Sequence, residues 1–277
     1  MTVGPAQAAV PAIAVERLTH VYAQGQVRAL DGVSFTIGPG ERVALIGQNG
    51  SGKSTLVRHL NGLLRPTSGR VLLDGTDVGG QTVAQLAARV GLVFQDPDRQ
   101  IFSGSVRSEV EFGPRNLGLR GDRLHAVVEA ALQATGLAAE GRTNPYDLGG
   151  SRRKLLALAS VLAMRTPILV LDEPTTGQDA AGIGLVQAVM AATHAEGRTV
   201  IAISHDMEFV AANFDRVIVM RSGTLIADGS PAAVFAERNW PLLASTYLVP
   251  PLAARVGAQL GLGETPTQEA LLAALAQ

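Results

Sequence analysis

The sequence predicts an α/β fold built on a parallel sheet, and three observations carry that prediction. Continuous apolar tetrads recur at Val43-Ala44-Leu45-Ile46, Ile168-Leu169-Val170-Leu171 and Val200-Ile201-Ala202-Ile203, as in strands buried on both faces. Helix-like stretches separate these strands. The first tetrad runs straight into a glycine-rich loop and then a helix-like stretch from Ser54 to Asn61.

Taken in order, residues 13–37 alternate and cluster as in strands, with Ile13, Val15 and Leu18, then Val33, Phe35 and Ile37. After the loop and helix, Arg65-Pro66-Thr67-Ser68-Gly69 breaks the chain, and Val71-Leu72-Leu73-Asp74-Gly75 reads as a strand ending in a hairpin turn. A strand over residues 90–94 ends at Gln95. Residues 97–164 change character, with helical patterns over 124–137 and 152–164 and few strand signals. Strand signals return in the tetrads at 168–171 and 200–203, then over 217–220 and 224–227. The Leu- and Ala-rich tail from about Trp240 reads as two or three short helices broken at Pro250-Pro251.

The loop Gly47-Gln48-Asn49-Gly50-Ser51-Gly52-Lys53-Ser54-Thr55 has the composition of a phosphate cradle. Gly47, Gly50 and Gly52 permit backbone conformations closed to other residues, so that successive N–H groups turn toward an anion. The helix behind adds unsatisfied amides and the positive end of its dipole. Lys53 supplies a mobile cation for β- and γ-phosphates, and the Ser54 hydroxyl is placed to ligate Mg²⁺. The ligand class is a nucleoside triphosphate with magnesium.

The apolar strand at 168–171 ends in Asp172-Glu173-Pro174. A carboxylate closing a buried strand beside such a loop holds Mg²⁺ directly or through water, a role assigned to Asp172. Glu173, one residue on, orients or deprotonates an attacking water. His205 follows a third buried strand, where it can donate to the γ-phosphate. Gln95 ends a strand and can reach both metal and water. Taken singly, His205 or Gln95 is an ordinary surface residue; the shared strand-end position raises them together.

A chain of 277 residues suffices for one large domain or two modest ones. The formal net charge of −1 gives no footprint for nucleic acid or an anionic membrane surface. Cysteine is absent, which excludes disulfides and thiolate metal sites. Residues 1–12 are small and apolar without a positively charged start or a cleavage pattern, so no secretory signal is expected. No apolar stretch approaches the roughly twenty residues of a membrane helix, and any membrane role is expected to come through partners.

With these residues in view, the chain resembles the ATP-binding-cassette (ABC) ATPases. The segments at 47–55, Gln95, Leu148-Gly149-Gly150-Ser151-Arg152, 168–173, Gly177-Gln178-Asp179 and Ile203-Ser204-His205-Asp206 occur in that family's order and spacing. The resemblance implies a P-loop NTPase core, a parallel sheet with an antiparallel β subdomain, carrying a helical insertion and a short helical C-terminal extension. The implied division is an ATPase domain over 13–240, with a nucleotide-binding core at 13–96 and 165–240, a helical subdomain at 97–164, and an extension at 241–277. Tyr22 sits where the family places an aromatic that stacks on adenine; simple strand-edge packing is the other reading.

The segments Val93-Phe94-Gln95-Asp96-Pro97-Asp98-Arg99-Gln100-Ile101-Phe102, Glu111-Phe112-Gly113-Pro114-Arg115-Asn116-Leu117-Gly118-Leu119, His205-Asp206-Met207-Glu208-Phe209-Val210, Pro250-Pro251 and Thr265-Pro266-Thr267-Gln268-Glu269 are similar to those of energy-coupling-factor ATPases, which drive uptake of vitamins or of cobalt and nickel ions. The resemblance implies two ATPase subunits sandwiching ATP between the phosphate loop of one and the signature segment of the other. It also implies a transmembrane coupling subunit, a substrate-binding membrane subunit, and a peripheral place on the cytoplasmic face of the membrane.

The signature departs from the family's Leu-Ser-Gly-Gly-Gln. In the ungapped register Gly149 stands at the serine position, Gly150 at the first glycine and Ser151 at the second; a one-residue deletion is the alternative. Either way the hydroxyl offered to the partner's γ-phosphate is absent from its place, a lost charged hydrogen bond costing about 1.5–3 kcal/mol. Arg152 either restores attraction to phosphate or, with Arg153 and Lys154, forms a solvated basic helix start. The altered signature serves the partner's ATP, so a heterodimer of unequal sites is favoured, with a homodimer possible. The competing class is a soluble cassette ATPase acting on nucleic acid or ribosomes, against which stand the single cassette, the short insertion and the lack of basic surplus.

Overall fold

The computed structural model describes residues 10–22 and 27–276. Most of the leader reading, at residues 1–9, lies outside the described residues, as do residues 23–26 of the first strand-rich stretch and Gln277. The described elements run β1 (Ile13–Tyr22), β2 (Val27–Ile37), β3 (Arg42–Ile46), α1 (Lys53–Leu60), β4 (Ser68–Leu73), β5 (Thr76–Asp77), α2 (Val83–Ala87) and β6 (Val90–Val93). Three helices follow, α3 (Val106–Asn116), α4 (Gly121–Ala134) and α5 (Gly150–Leu162). The chain then alternates through β7 (Ile168–Asp172), α6 (Ala180–Ala195), β8 (Thr199–Ile203), α7 (Met207–Asn213), β9 (Arg216–Arg221) and β10 (Thr224–Gly229). It closes with α8 (Pro231–Phe235), α9 (Trp240–Ala244), α10 (Leu252–Gln259) and α11 (Gln268–Leu275).

The main sheet has the order β10-β9-β3-β8-β7-β6. It is parallel from β9 to β6, and β10 folds back antiparallel on one edge. That edge departs from the purely parallel expectation for a local reason: Ser222 and Gly223 both have positive φ, the geometry of a two-residue hairpin that keeps β10 beside β9. A separate antiparallel sheet, β2-β1-β4-β5, lies to one side.

Two cores explain why the parallel strands read as unbroken apolar runs. In β3, Val43 and Leu45 enter the core shared with the antiparallel sheet and α1, while Ala44 and Ile46 enter the core shared with α3–α8. Strands β7 and β8 alternate in the same way, with Val170 and Ile201 on one side and Leu171 and Ala202 on the other. Alternate side chains of a strand leave opposite faces, and each fully buried Leu, Ile or Val contributes about 1.5–3 kcal/mol.

Helix boundaries shift slightly from the sequence pattern. Helix α4 starts at Gly121 rather than Leu124 and stops at Ala134, because Thr135 and then Gly136, with φ of +67, leave the helical region. Helix α5 begins two residues earlier than the pattern, because Gly149 turns extended and Gly150 takes the first helical position. Helix α2 is too short to show a periodic pattern in the sequence; its Thr82–Gln85 capping box supports it.

Candidate active site

The end of β3 and the start of α1 place the glycine-rich loop as the sequence predicts. Gly47, Gly50 and Gly52 have φ of +145, +79 and +105. At Gly47 an added Cβ would lie 2.1 Å from Met220 O, and at Gly52 2.5 Å from Ala29 O, so neither tolerates a side chain. Lys53 Nζ donates to Gly47 O at 2.6 Å and Gln48 O at 3.0 Å, curling the loop around its ammonium. Burial pushes the Lys53 pKa down, opposed by Glu173 and Asp172.

A cleft of about 410 Å³ opens above this loop. Asn49, Gly50, Ser51, Gly52, Lys53, Ser54 and Thr55 line it together with Tyr22, Gln95, Asp172, Glu173 and His205, so residues from five separate stretches converge. Gly47 and Gln48 do not line the cleft; their carbonyls hold Lys53 from beneath. Tyr22 donates or accepts a 3.0 Å bond between its hydroxyl and Thr55 Oγ1, which fixes its ring at the cleft's edge. Thr176, Val27, Arg28 and Ala29 also line it. No motif marks these four in the sequence, and only their approach in space identifies them.

Asp172 closes β7 and is buried, with Oδ1 lacking any hydrogen-bond partner. Burial raises its pKa, while the Ser54 hydroxyl, Arg58 and Lys53 oppose the rise. An orphaned carboxylate oxygen beside a serine hydroxyl, with the Gln95 amide in the same cleft, is a hard oxygen set that suits Mg²⁺.

Glu173 is 5% exposed and takes φ of +54, a left-handed conformation that costs a non-glycine residue energy. Its N–H is pinned to Ile203 O at 3.0 Å, and Thr176 Oγ1 donates to its Oε2 at 3.3 Å. His205 Nε2 stands 3.0 Å from Glu173 Oε1 but outside hydrogen-bonding geometry, leaving that oxygen without a hydrogen-bond partner. Burial first, and then Lys53, lowers the His205 pKa. Burial first, and then Asp172, raises the pKa of Glu173. The result is a carboxylate with one free oxygen and enhanced basicity, fit to take a proton from water.

The signature residues lie elsewhere. Gly149 is the N-cap of α5 and offers no side-chain cap; Gly150 is the first helical residue. Ser151 bonds Gln178, and none of Gly149, Gly150 and Ser151 lines the cleft. Arg152 donates to Gly136 O at 2.8 Å and pairs with Glu140, so its guanidinium is held within the helical region.

A family model described as "ABC transporter" matches residues 30–176. A cobalt import ATP-binding protein of Rhodobacter capsulatus is 43% identical over 244 residues, covering 87% of this chain and 86% of the relative. An energy-coupling factor transporter ATP-binding protein of Clostridium perfringens is 42% identical over 233 residues, covering 81% and 82%. A putative ABC transporter ATP-binding protein of Methanosarcina acetivorans is 41% identical over 250 residues, of whose length this chain spans 40%. Among solved structures, CbiO1 of Clostridium perfringens, described as part of an ABC transporter complex, matches with a TM-score of 0.75 and 36% identity over 91% of this chain and 99% of that one. With the phosphate loop, the strand-end acids and these relatives in agreement, the chain belongs to the ABC transporter family, as one of its ATP-binding and ATP-hydrolysing subunits.

Proposed function

We propose that this chain energises an energy-coupling-factor importer for a vitamin or a transition-metal ion, as a peripheral subunit on the cytoplasmic face of the membrane. The observation that carries the proposal is the separation of two half-sites on one chain: a cleft holding Lys53, Asp172, Glu173 and His205, and a signature helix start at Gly149 that does not reach it. A half-site of each kind calls for a second ATPase subunit to complete both. Relatives named as cobalt import and energy-coupling-factor ATPases support the transport assignment. The same reading divides the chain into a core at 13–96 and 165–240, a helical subdomain at 97–164 and an extension at 241–277.

In this reading the adenine rests on Tyr22, and the phosphates on the amides of 50–55 and on the Lys53 ammonium. Ser54, Gln95 and Asp172 would hold Mg²⁺, which when bound neutralises charge on the β- and γ-phosphate oxygens. Glu173 accepts the proton of the attacking water through its free oxygen, with Thr176 holding the other. His205 donates one N–H to the γ-phosphate. Closure of the dimer on ATP is a population shift, passed to the membrane subunits through the segment after Gln95. There Phe102 and Phe112 stack edge to face at 4.7 Å while 60% and 47% exposed, an apolar surface suited to a partner's helix.

Of the two dimers, we favour a heterodimer of unequal sites. Gly149 at the N-cap is the position where the ungapped register puts the missing serine, and Arg152 is committed to Glu140. Purification of the complex from detergent extract tests the transport proposal: membrane subunits and a second ATPase should accompany the chain. Ribosomes or nucleic acid in their place would overturn it in favour of a soluble cassette ATPase.

A further inference from the structure

The phosphate loop is tied to a point far along the chain. Thr246, in the segment after α9, is 0% exposed; its hydroxyl accepts the Gln48 N–H at 3.0 Å and donates to Met220 O at 3.3 Å. Met220 O is the atom against which Gly47 packs, so one hydroxyl joins the entrance of the loop to the end of β9. The neighbouring residues hold Thr246 in place. Ser245 Oγ accepts from Arg221 Nη1 at 2.7 Å, and Leu243 and Leu248 are buried on either side. Tyr247 has φ of +56 while 85% exposed, so its own side chain does not dictate that conformation. Strain of this kind persists only where the surroundings fix the backbone.

We propose that Thr246 is a positioning residue for ATP: by satisfying the Gln48 N–H it sets the Gly47–Gln48 peptide, whose Gly47 carbonyl, together with that of Gln48, holds the Lys53 ammonium. The C-terminal extension thereby preorganises the phosphate loop before nucleotide arrives. The inference rests on the reading of residues 47–55 as the ATP loop. Serine keeps the hydroxyl; valine keeps the shape and leaves a buried donor and a buried acceptor unpaired.

The test uses the full chain and titration with ATP, followed by KM and kcat in the assembled complex. Thr246→Val should weaken ATP binding and raise KM for ATP about tenfold, with kcat at saturating ATP changed less than about twofold. Thr246→Ser should stay within about twofold of the unaltered chain in all three. Unchanged ATP affinity in Thr246→Val overturns the proposal, as does a Thr246→Ser chain as weak as Thr246→Val. Amide exchange of the unaltered chain keeps the proposal testable if Thr246→Val does not fold. The Gln48 amide should be protected without nucleotide, and free exchange there overturns it. An unaltered chain that fails to bind ATP would sink the loop reading itself, a result distinct from a defect confined to the Thr246 variants.

Discussion

The Ser151 hydroxyl donates to Gln178 Oε1 at 2.5 Å, and Gln178 Nε2 donates back to Ser151 O at 3.1 Å. The only hydroxyl in the segment 148–152 is therefore engaged with the loop that follows Glu173 and is not free to replace the serine that the ungapped register would place at Gly149. An added Cβ at Gly149 meets nothing within 4 Å, and its φ of −63 and ψ of 158 suit any L-residue. Gly149→Ser should raise ATP turnover of the assembled complex by up to about twofold, as the repaired site comes to match the competent one, and stabilise α5 by a few tenths of a kcal/mol. An unchanged turnover would show that the site completed by this segment does not limit the cycle.

The proposed pairing of unequal sites makes a second, kinetic prediction. Glu173→Gln removes the proposed proton acceptor of the competent site and should lower turnover of the complex by about 10²–10⁴-fold while ATP still binds. The same exchange at the matching acid of the second ATPase should cost far less. Equal losses from the two exchanges would leave no asymmetry to explain.

Glu173 also carries a stability cost with a definite pH sign. Burial and Asp172 raise its pKa in the folded chain, so the folded state binds the proton more tightly than the unfolded one. Stability then falls as pH rises from the ordinary carboxylate range through the raised folded value. Glu173→Gln abolishes that loss and should raise Tm at pH 7.5, by about 2–4 °C for each kcal/mol relieved. At a pH below the ordinary carboxylate range the gain should vanish. A Tm gain independent of pH would show that the ionisation of Glu173 is not its source.

The parts of this site that were legible in the sequence are those whose chemistry is written locally. Gly47, Gly50 and Gly52 announce themselves by type and spacing, and Asp172 and Glu173 by ending an apolar strand. The antiparallel edge strand β10 was visible only as strand, since its direction depends on the turn at Ser222 and Gly223. Thr246 gave no signal because its partner amide is 198 residues away in sequence. Arg152 was open to two readings because a basic residue at a helix start does not say which way it points; Glu140 decides that.

A pair of buried histidines behind Tyr22 was likewise invisible as a pair. His59 Nδ1 lies 2.8 Å from Thr55 O and His20 Nδ1 3.0 Å from Arg65 O, so each ring donates there. His59 Nε2 is left to accept from His20 Nδ1 at 3.2 Å. Protonating His59 would set two donors against each other, and burial already lowers its pKa. The unfolded chain then binds more protons as pH falls below the ordinary histidine value, and stability is lost as pH falls through the folded one. Tm should drop between pH 7.5 and pH 5.5, and His59→Gln should flatten that drop. A drop of equal size in the variant would assign it to other groups.

Glu109, on α3 and buried, accepts Phe102 N–H at 3.1 Å and Ser103 N–H at 2.8 Å through one oxygen. It thereby fixes the turn that presents Phe102 against Phe112, the surface proposed to receive a membrane subunit. Glu109→Ala leaves those amides without their charged acceptor, a loss of about 1.5–3 kcal/mol. Since Tm moves by about 2–4 °C per kcal/mol in a chain of this size class, the melting shift is easily read. ATP binding by the isolated variant should stay within about twofold, because Glu109 is not among the residues that line the cleft. Recovery of the membrane subunits on purification should fall sharply. Phe102→Ala should reproduce that fall with little change in Tm, since its ring is already exposed. If Glu109→Ala instead weakens ATP binding and leaves the membrane subunits attached, the turn serves the nucleotide site rather than the docking surface.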